Sequence, residues 1–480
     1  MNYVQNTEAD RKAMLATIGA PSVDALLASI PEDCRFQGVL DVERALTEDE
    51  LLREMRSLAK RNTGAEGRAS FLGAGLYQHF CPALVDSLVA RTEFWTAYTP
   101  YQPEASQGTL TTIFEWQTMM CRLTGMEVSN ASLYDGATAV VEAVLMALRL
   151  KEPAGPTHVV LSKGLHPDSI GAVKTYMGSL GIGVIEVDLA DGATPAAAIA
   201  AAVAAAGAGK PGAAGSSSAG KPGAASAGGG AGGPVIAAVA VQSPNFHGVI
   251  EDVRSLCDAT HALGALAIVS ADPIALSVLE APGVQGADIV CGEATPMGNK
   301  PWFGGPGVGY LCAKMESVRQ MPARIAGETV DGQGRRAVVL TFQTREQHIR
   351  RAKATSNICT SQQLMALRAT IWMSLLGKDG FVELGRTNLA RAHYASSRIA
   401  VIPGWKLTYP KQAFFKEFSV TAPVPAARVN RELLRRHDII GGFDVGRVDP
   451  ARPNEWLLAV TDMNTKDEID RLVLALETIR

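Results

Sequence analysis

The chain has 480 residues, 47% of them hydrophobic and 19% charged, with a formal charge of −3. That length and apolar content support two or three domains with sizeable cores, and the near-neutral balance gives no reason to expect nucleic acid or an anionic membrane surface as partner. Seven cysteines (Cys34, Cys81, Cys121, Cys257, Cys291, Cys312 and Cys359) are scattered without a CxxC, which argues for reduced thiols in a cytoplasmic protein and against a disulfide framework or a zinc site. The opening MNYVQNTEADRKAM is polar and has no apolar signal core, and no apolar run approaches membrane-spanning length.

Residues 1–65 read as a helical, charged N-terminal arm. Ser22 before Leu26 and Leu27 is a helix cap, and Thr47 with Glu50 ahead of Leu51 and Leu52 is a capping box. The stretch Thr96–Gln117, TAYTPYQPEASQGTLTTIFEWQ, sets Tyr98, Tyr101, Gln102 and Glu104 around Pro100 and Pro103. Two prolines make it a poor helix start and a poor buried strand, so it reads as a stiff loop that presents side chains. Ile113, Trp116, Met120 and Leu123 then follow at the spacing of an amphipathic helix.

Beyond Asn130, strands alternate with helices. Strands are expected at His158–Ser162, Val184–Val187, Val235–Gln242 and Leu266–Ser270, and helices at Pro167–Gly178, Pro195–Ala206 and Val253–Leu263. This alternation predicts an α/β domain over 66–325 with a mostly parallel, covered sheet and ligands beyond its carboxyl edge. Residues 204–234 contain only Ala, Gly, Ser, Pro and Lys, cannot bury a core, and are expected to form a flexible surface insertion. Its Gly-Lys-Pro-Gly repeats lack the GxxxxGK[ST] pattern of a phosphate loop. Residues 326–480 are read as connecting helices and a smaller C-terminal α+β domain. Within it, Arg345–Lys353 is expected to be a solvated basic helix, Leu364–Leu376 an apolar helix, Leu457–Val460 a strand and Thr465–Ile479 the closing helix.

The run from FLGAGLYQHF through TAYTPYQPEASQGTLTTIFEWQ to SLYDGATAVVEAVLMALR resembles the first-subunit (alpha) type of the glycine cleavage system P-protein family, the decarboxylating glycine dehydrogenases. NTEADRKAML, VQSPNFHGVIED, REQHIRRAKATSNICTSQ and TDMNTKDEID fit the same family in the same order, from about Tyr3 to Leu474. The resemblance implies a pyridoxal-phosphate-dependent transferase fold of type I, similar to aminotransferases. It also implies a partner beta subunit, in a heterotetramer of two of each, and a lipoylated H-protein that accepts the aminomethyl group after glycine loses carbon dioxide.

Such enzymes need a lysine for the cofactor aldehyde, an acid opposite the pyridine nitrogen, and a cup of backbone N–H groups for the phosphate. The resemblance assigns the cup to the helix opened by SLYDGA, with Ser132, Asp135 and Gly136, and the acid to Asp272 in VSADP. The lysine is expected near Glu293–Thr295, where the sequence has none, and Lys300 in GNKPW is expected to be a solvated loop residue. The implied cofactor, pyridoxal 5'-phosphate, is therefore expected on the beta subunit. Tyr98, Tyr101, Gln102 and Glu104 are the leading candidates for a contribution across the interface, with Thr355, Ser356 and Asn357 as a second group. Two alternatives stand beside this reading: a self-sufficient aminotransferase or decarboxylase using Lys300, and a non-catalytic stabilising subunit. His166, Asn245 and His247 are read as structural or turn residues near strand ends, and His79 as a residue near the arm at an interface.

Overall fold

The computed structural model describes residues 5–36, 38–65, 67–95, 99–152, 155–208 and 235–479. Contacts divide the chain into two units, 1–64 and 65–480. In the first, helices α1 (Glu8–Ile18) and α2 (Glu48–Ala59) each begin at a threonine whose hydroxyl accepts from the third helical N–H while an acid returns the bond, Thr7 with Asp10 and Thr47 with Glu50. Helix α2 carries Leu51, Leu52, Met55 and Leu58, all exposed.

The second unit is built on a seven-stranded sheet. Its elements, in chain order, are α3 (Gln107–Thr124), β1 (Val128–Ser129), α4 (Gly136–Lys151), β2 (Thr157–Ser162), α5 (Pro167–Leu180), β3 (Gly183–Val187), α6 (Ala196–Ala208), β4 (Val235–Ser243), α7 (Val253–Ala262), β5 (Leu266–Ala271), β6 (Ile289–Glu293) and β7 (Gly309–Ala313). The spatial order is β1-β7-β6-β5-β4-β2-β3, with β2 to β6 parallel and β7 antiparallel to both of its neighbours. Apolar residues of both parities are buried, as a sheet covered on two faces requires. Val159 and Leu161 pack toward α4 and α5, whereas Val160 joins the opposite core with Trp116 of α3 and Leu256 of α7. Each such side chain, fully buried, contributes about 1.5–3 kcal/mol.

A hairpin of β8 (Ile325–Val330) and β9 (Arg336–Thr341) follows, then the long helix α8 (Gln363–Ala400). Gly377, at φ 62°, breaks α8. Residues before the break, such as Trp372, belong to the core of the large sheet. Ala392, Ala395 and Ile399 belong to a separate core. That core lies on an antiparallel sheet of β10 (Lys406–Leu407), β11 (Glu417–Thr421), β12 (Phe443–Asp444) and β13 (Glu455–Ala459), in the order β10-β11-β13-β12. Helices α9 (Ala426–His437) and α10 (Lys466–Glu477) close it through Val429, Leu433, Ile469 and Leu472. Among the described residues no helix is long and apolar enough to cross a membrane.

The expected basic helix at Arg345–Lys353 is instead three short turns interrupted at Arg351, whose φ is 51°. Arg345 is not solvated. It is 8% exposed and donates to the carbonyls of Met321 and Ala323, and burial lowers its pKa to about 10. The insertion overlaps α6 as far as Ala208, and the rest of it lies outside the described residues.

Candidate functional site

Strands β2, β4, β5 and β6 all end on one side of the sheet, and a cavity of about 380 Å³ opens there. This is where the topology of an open parallel sheet places ligands. Each strand end supplies a wall: His166 after β2, Gln242 and Pro244 at the end of β4, Asp272 after β5, and Glu293 closing β6. Asp135 and Gly136 enter from the start of α4, Tyr77 from the segment before α3, and Lys416 and Glu417 from the start of β11.

At the amino-terminus of α4, Asp135 caps the helix by accepting from the Thr138 N–H at 2.7 Å. The next N–H, that of Gly136, donates to Glu293 Oε2 at 2.8 Å. The other oxygen of Glu293 accepts from the Thr295 N–H at 2.9 Å, the Val308 N–H at 3.0 Å and the Thr295 hydroxyl. Glycine is required at 136, because a Cβ there would stand 2.8 Å from the Cβ of Glu293.

On the opposite wall, Asp272 accepts from the Ile274 N–H at 3.0 Å and pairs with Lys416 Nζ at 2.8 Å. The Lys416 side chain is only 2% exposed. Its ammonium also stands 3.8 Å from the centre of the Tyr77 ring and 3.2 Å from His79 Nε2. Burial first, and the Lys416 charge second, hold the His79 pKa below its ordinary value, so a neutral imidazole accepts from Lys416 and its Nδ1–H donates to Asp462. Lys416 is thus an ammonium with an anion, a lone pair and an aromatic face around it. Beside it, Glu417 accepts from the Ala74 N–H at 2.7 Å and the Tyr77 hydroxyl at 2.6 Å, and burial pushes its pKa up to about 7.

Of the four residues assigned to a cofactor shell, Asp135, Gly136 and Asp272 line the cavity. Ser132 does not. It is fully buried, and its Oγ finds no hydrogen-bond partner among the described residues. Lys300 is outside the lining as well, with a side chain 53% exposed and paired to Asp86 at 3.3 Å. His166 both lines the cavity and is held structurally, with Nε2 at 2.9 Å from the Ala74 carbonyl and Nδ1 accepting from the Asp168 N–H. The His79 side chain is buried between Lys416 and Asp462. Asn245 is a turn residue whose Oδ1 accepts from the His247 and Val249 N–H groups. Lys416 is the residue that sequence reasoning missed, because nothing local in KEFSV marks a lysine that meets Asp272 across the fold.

The residues expected to reach another chain lie elsewhere. Tyr98 falls outside the described residues. Tyr101 is 48% exposed, meets His348 edge-on at 5.5 Å between ring centres, and accepts from Arg324 Nη2 at 3.4 Å. Gln102, Glu104 and Asn357 are exposed, and Thr355 and Ser356 are half-buried. Arg324 pairs with Glu346 at 3.4 Å, and the Thr355 N–H donates to the Arg345 carbonyl at 3.0 Å. The described members of the two predicted groups therefore converge on one patch through Arg324, Glu346 and His348, and none of these described members lines the cavity.

Pyridoxal phosphate does not fit this cavity as it stands. The N–H that would hold its phosphate is bonded to Glu293, the acid that would hold its ring nitrogen is bonded to Lys416, and β6 ends without a lysine. Asp135 and Glu293, beside the Gly136 N–H, would repel a phosphate dianion.

The family model of the glycine cleavage system P-protein matches residues 1–476. Probable glycine dehydrogenase (decarboxylating) subunit 1 of Brevibacillus brevis is 44% identical over 478 residues, 99% of this chain and 98% of that one. Its counterpart in Anoxybacillus flavithermus is 44% identical over 472 residues, 98% of this chain and 97% of that one. The crystal structure of a glycine decarboxylase (P-protein) of the glycine cleavage system, in inhibitor-bound form, superposes with a TM-score of 0.82 at 37% identity and 99% coverage of both chains. Mouse CSAD, at 14% identity and a TM-score of 0.64 over 98% of this chain and 92% of that one, shares the fold alone. The architecture is the α/β fold of type I pyridoxal-phosphate-dependent enzymes. The chain belongs to the glycine cleavage system P-protein family.

Proposed function

We propose that this chain is subunit 1 of glycine dehydrogenase (decarboxylating), active only with a second subunit that carries pyridoxal 5'-phosphate. Together they release carbon dioxide from glycine and pass the aminomethyl group to the lipoyl arm of the H-protein, in the cytoplasm, as a heterotetramer of two subunits of each kind. The division into an arm to residue 65, a large domain over 66–325 and a connecting and small portion over 326–480 belongs to the same reading.

One observation carries it. A chain of this family ends the strand that should deliver the cofactor lysine in Glu293-Ala294-Thr295, and its nearest following lysine, Lys300, is a surface residue paired with Asp86. The amine that binds the aldehyde then has to come from another polypeptide. This chain's share is to present the Tyr98–Glu104 loop and the Thr355–Asn357 segment to that polypeptide's glycine site. There Tyr98 and Tyr101 bound the pocket, Glu104 orients them and the lipoyl arm is guided in. A wall of this kind excludes water and favours loss of the carboxylate charge.

The test is reconstitution. The isolated chain is expected to be colourless as purified, with no absorbance that borohydride bleaches, and to release no carbon dioxide from glycine. Adding the second subunit and lipoylated H-protein is expected to restore turnover. Turnover by the isolated chain would refute the proposal.

A further inference from the structure

The cavity has two anchor points, the Gly136 N–H and the Asp272 carboxylate. Each is engaged by a side chain of the chain itself, and each side chain has the charge of the group it displaces. Glu293 lays a carboxylate on the Gly136 N–H at the start of the sixteen-residue helix α4, where an anion is favoured by the helix dipole. Lys416 lays an ammonium on Asp272, where a protonated ring nitrogen would donate. Backbone approaches this corner closely. A Cβ on Gly136 would meet the Glu293 backbone N at 3.1 Å, and one on Gly307 would stand 3.3 Å from Glu293 Oε2.

We propose that Glu293 and Lys416 are internal counter-ions, Glu293 standing for a ligand phosphate and Lys416 for a ligand cation, so that the cavity is a phosphate-ester site shut by its own side chains and reopened by removing Glu293. Two features support this beyond the helix terminus. Glu293 engages three backbone N–H groups and a hydroxyl rather than solvent, so its position is built, not incidental. Lys416 is buried on the far wall of the same cavity, so the two surrogate charges are separated across it as a zwitterionic ligand's charges would be. The inference stands apart from the proposed activity, since it concerns only what this chain's cavity admits.

Inorganic phosphate and pyridoxal 5'-phosphate are the probes, titrated by calorimetry into the full chain and its variants. The wild-type chain is expected to bind neither saturably. Glu293→Ala, shown to be folded by its melting transition, is expected to gain phosphate affinity by roughly ten- to hundredfold, the worth of charge-assisted hydrogen bonds returned to a ligand. Phosphate density on the Gly136 N–H in soaked crystals of that variant would locate the site. Should Glu293→Ala fail to fold, Glu293→Gln keeps the shape, drops the charge and is expected to show a smaller gain. Saturable phosphate or cofactor binding by the wild-type chain at the Gly136 N–H would overturn the proposal. So would a folded Glu293 variant with no gain, or a gain whose density lies elsewhere. None of these readouts involves turnover or the second subunit, so they can fail without touching the proposed activity.

Discussion

The cavity at the sheet edge and the patch around Tyr101 are both lined by polar side chains, but they differ in what those side chains still have to give. In the cavity, Glu293, Asp272 and Lys416 are bonded to one another's elements and to backbone. A ligand would have to break strong internal contacts before making its own. In the patch, Tyr101 is half exposed, and Gln102, Glu104 and Asn357 face solvent with hydrogen-bonding capacity to spare. Concavity alone would choose the cavity as the working site. The proposed function instead places the working contact at the patch, whose side chains have hydrogen-bonding capacity to spare and which a loop stiffened by Pro100 and Pro103 would present with little ordering cost.

The sharpest way to break this contrast is at Lys416. Lys416→Met leaves Asp272 and the Tyr77 face without their cation, and removal of one partner of a buried ion pair costs about 3–5 kcal/mol. Urea unfolding measures it. The double variant Lys416→Met/Asp272→Asn is expected to recover most of the loss, since no uncompensated charge remains. If the single variant unfolds at the wild-type urea concentration, the cavity is not internally held and the contrast fails.

The next effect is a pH dependence. Burial raises the Glu417 carboxyl from 4.5 to about 7, so the folded chain binds that proton more tightly than the unfolded chain does. Its contribution to stability is complete below about pH 4.5 and is lost as pH rises through about 7, roughly 3–4 kcal/mol across that window. Glu417→Gln still accepts from Ala74 or Tyr77 and should flatten that portion of the stability curve. An unchanged slope in the variant would assign the titration to another group.

These predictions rest on residues whose sequence signals differ in kind. The parallel strands were legible because doubly covered strands are short apolar runs, as at His158–Ser162, and the caps were legible because Thr47 and Glu50 lie three residues apart. That Asp135, Gly136 and Asp272 come together was legible through the family motif, and all three line the cavity. The partner of Asp272 was not legible. Lys416 precedes a strand of the other sheet and meets Asp272 only after the chain has folded, and an isolated lysine beside a glutamate reads as surface. Arg345 misled for the converse reason. Its neighbours Arg350 and Arg351 suggested a charged helix face, whereas carbonyls of Met321 and Ala323, more than twenty residues away, hold it inside.

The patch is tested by smaller changes. Tyr101→Phe removes only the hydroxyl that meets Arg324, keeping the ring on His348. In the reconstituted complex it is expected to lower turnover by about tenfold, or ~1.4 kcal/mol of barrier, while sedimentation shows the same assembly. Tyr98→Phe is the companion variant. A subunit that only stabilises its partner would tolerate both with normal rates, which would leave the patch a mere surface.

The smallest effect is expected at Lys300, and it bears on whether the chain could work alone. Its side chain is 53% exposed and pairs with Asp86 at 3.3 Å. Asp86 has a better partner in Arg368, whose Nη2 is 2.7 Å away and whose side chain is 4% exposed. The hydrogen bond from Arg368 is the leading cause of the lowered Asp86 pKa, with Lys300 a lesser one. Lys300→Ala therefore leaves Asp86 ionised and paired, and a solvent-exposed ion pair is worth about 0–1 kcal/mol. Stability should shift by less than that, and turnover of the reconstituted complex should be unchanged. A self-sufficient enzyme using Lys300 would instead lose its Schiff base and all activity with this one substitution.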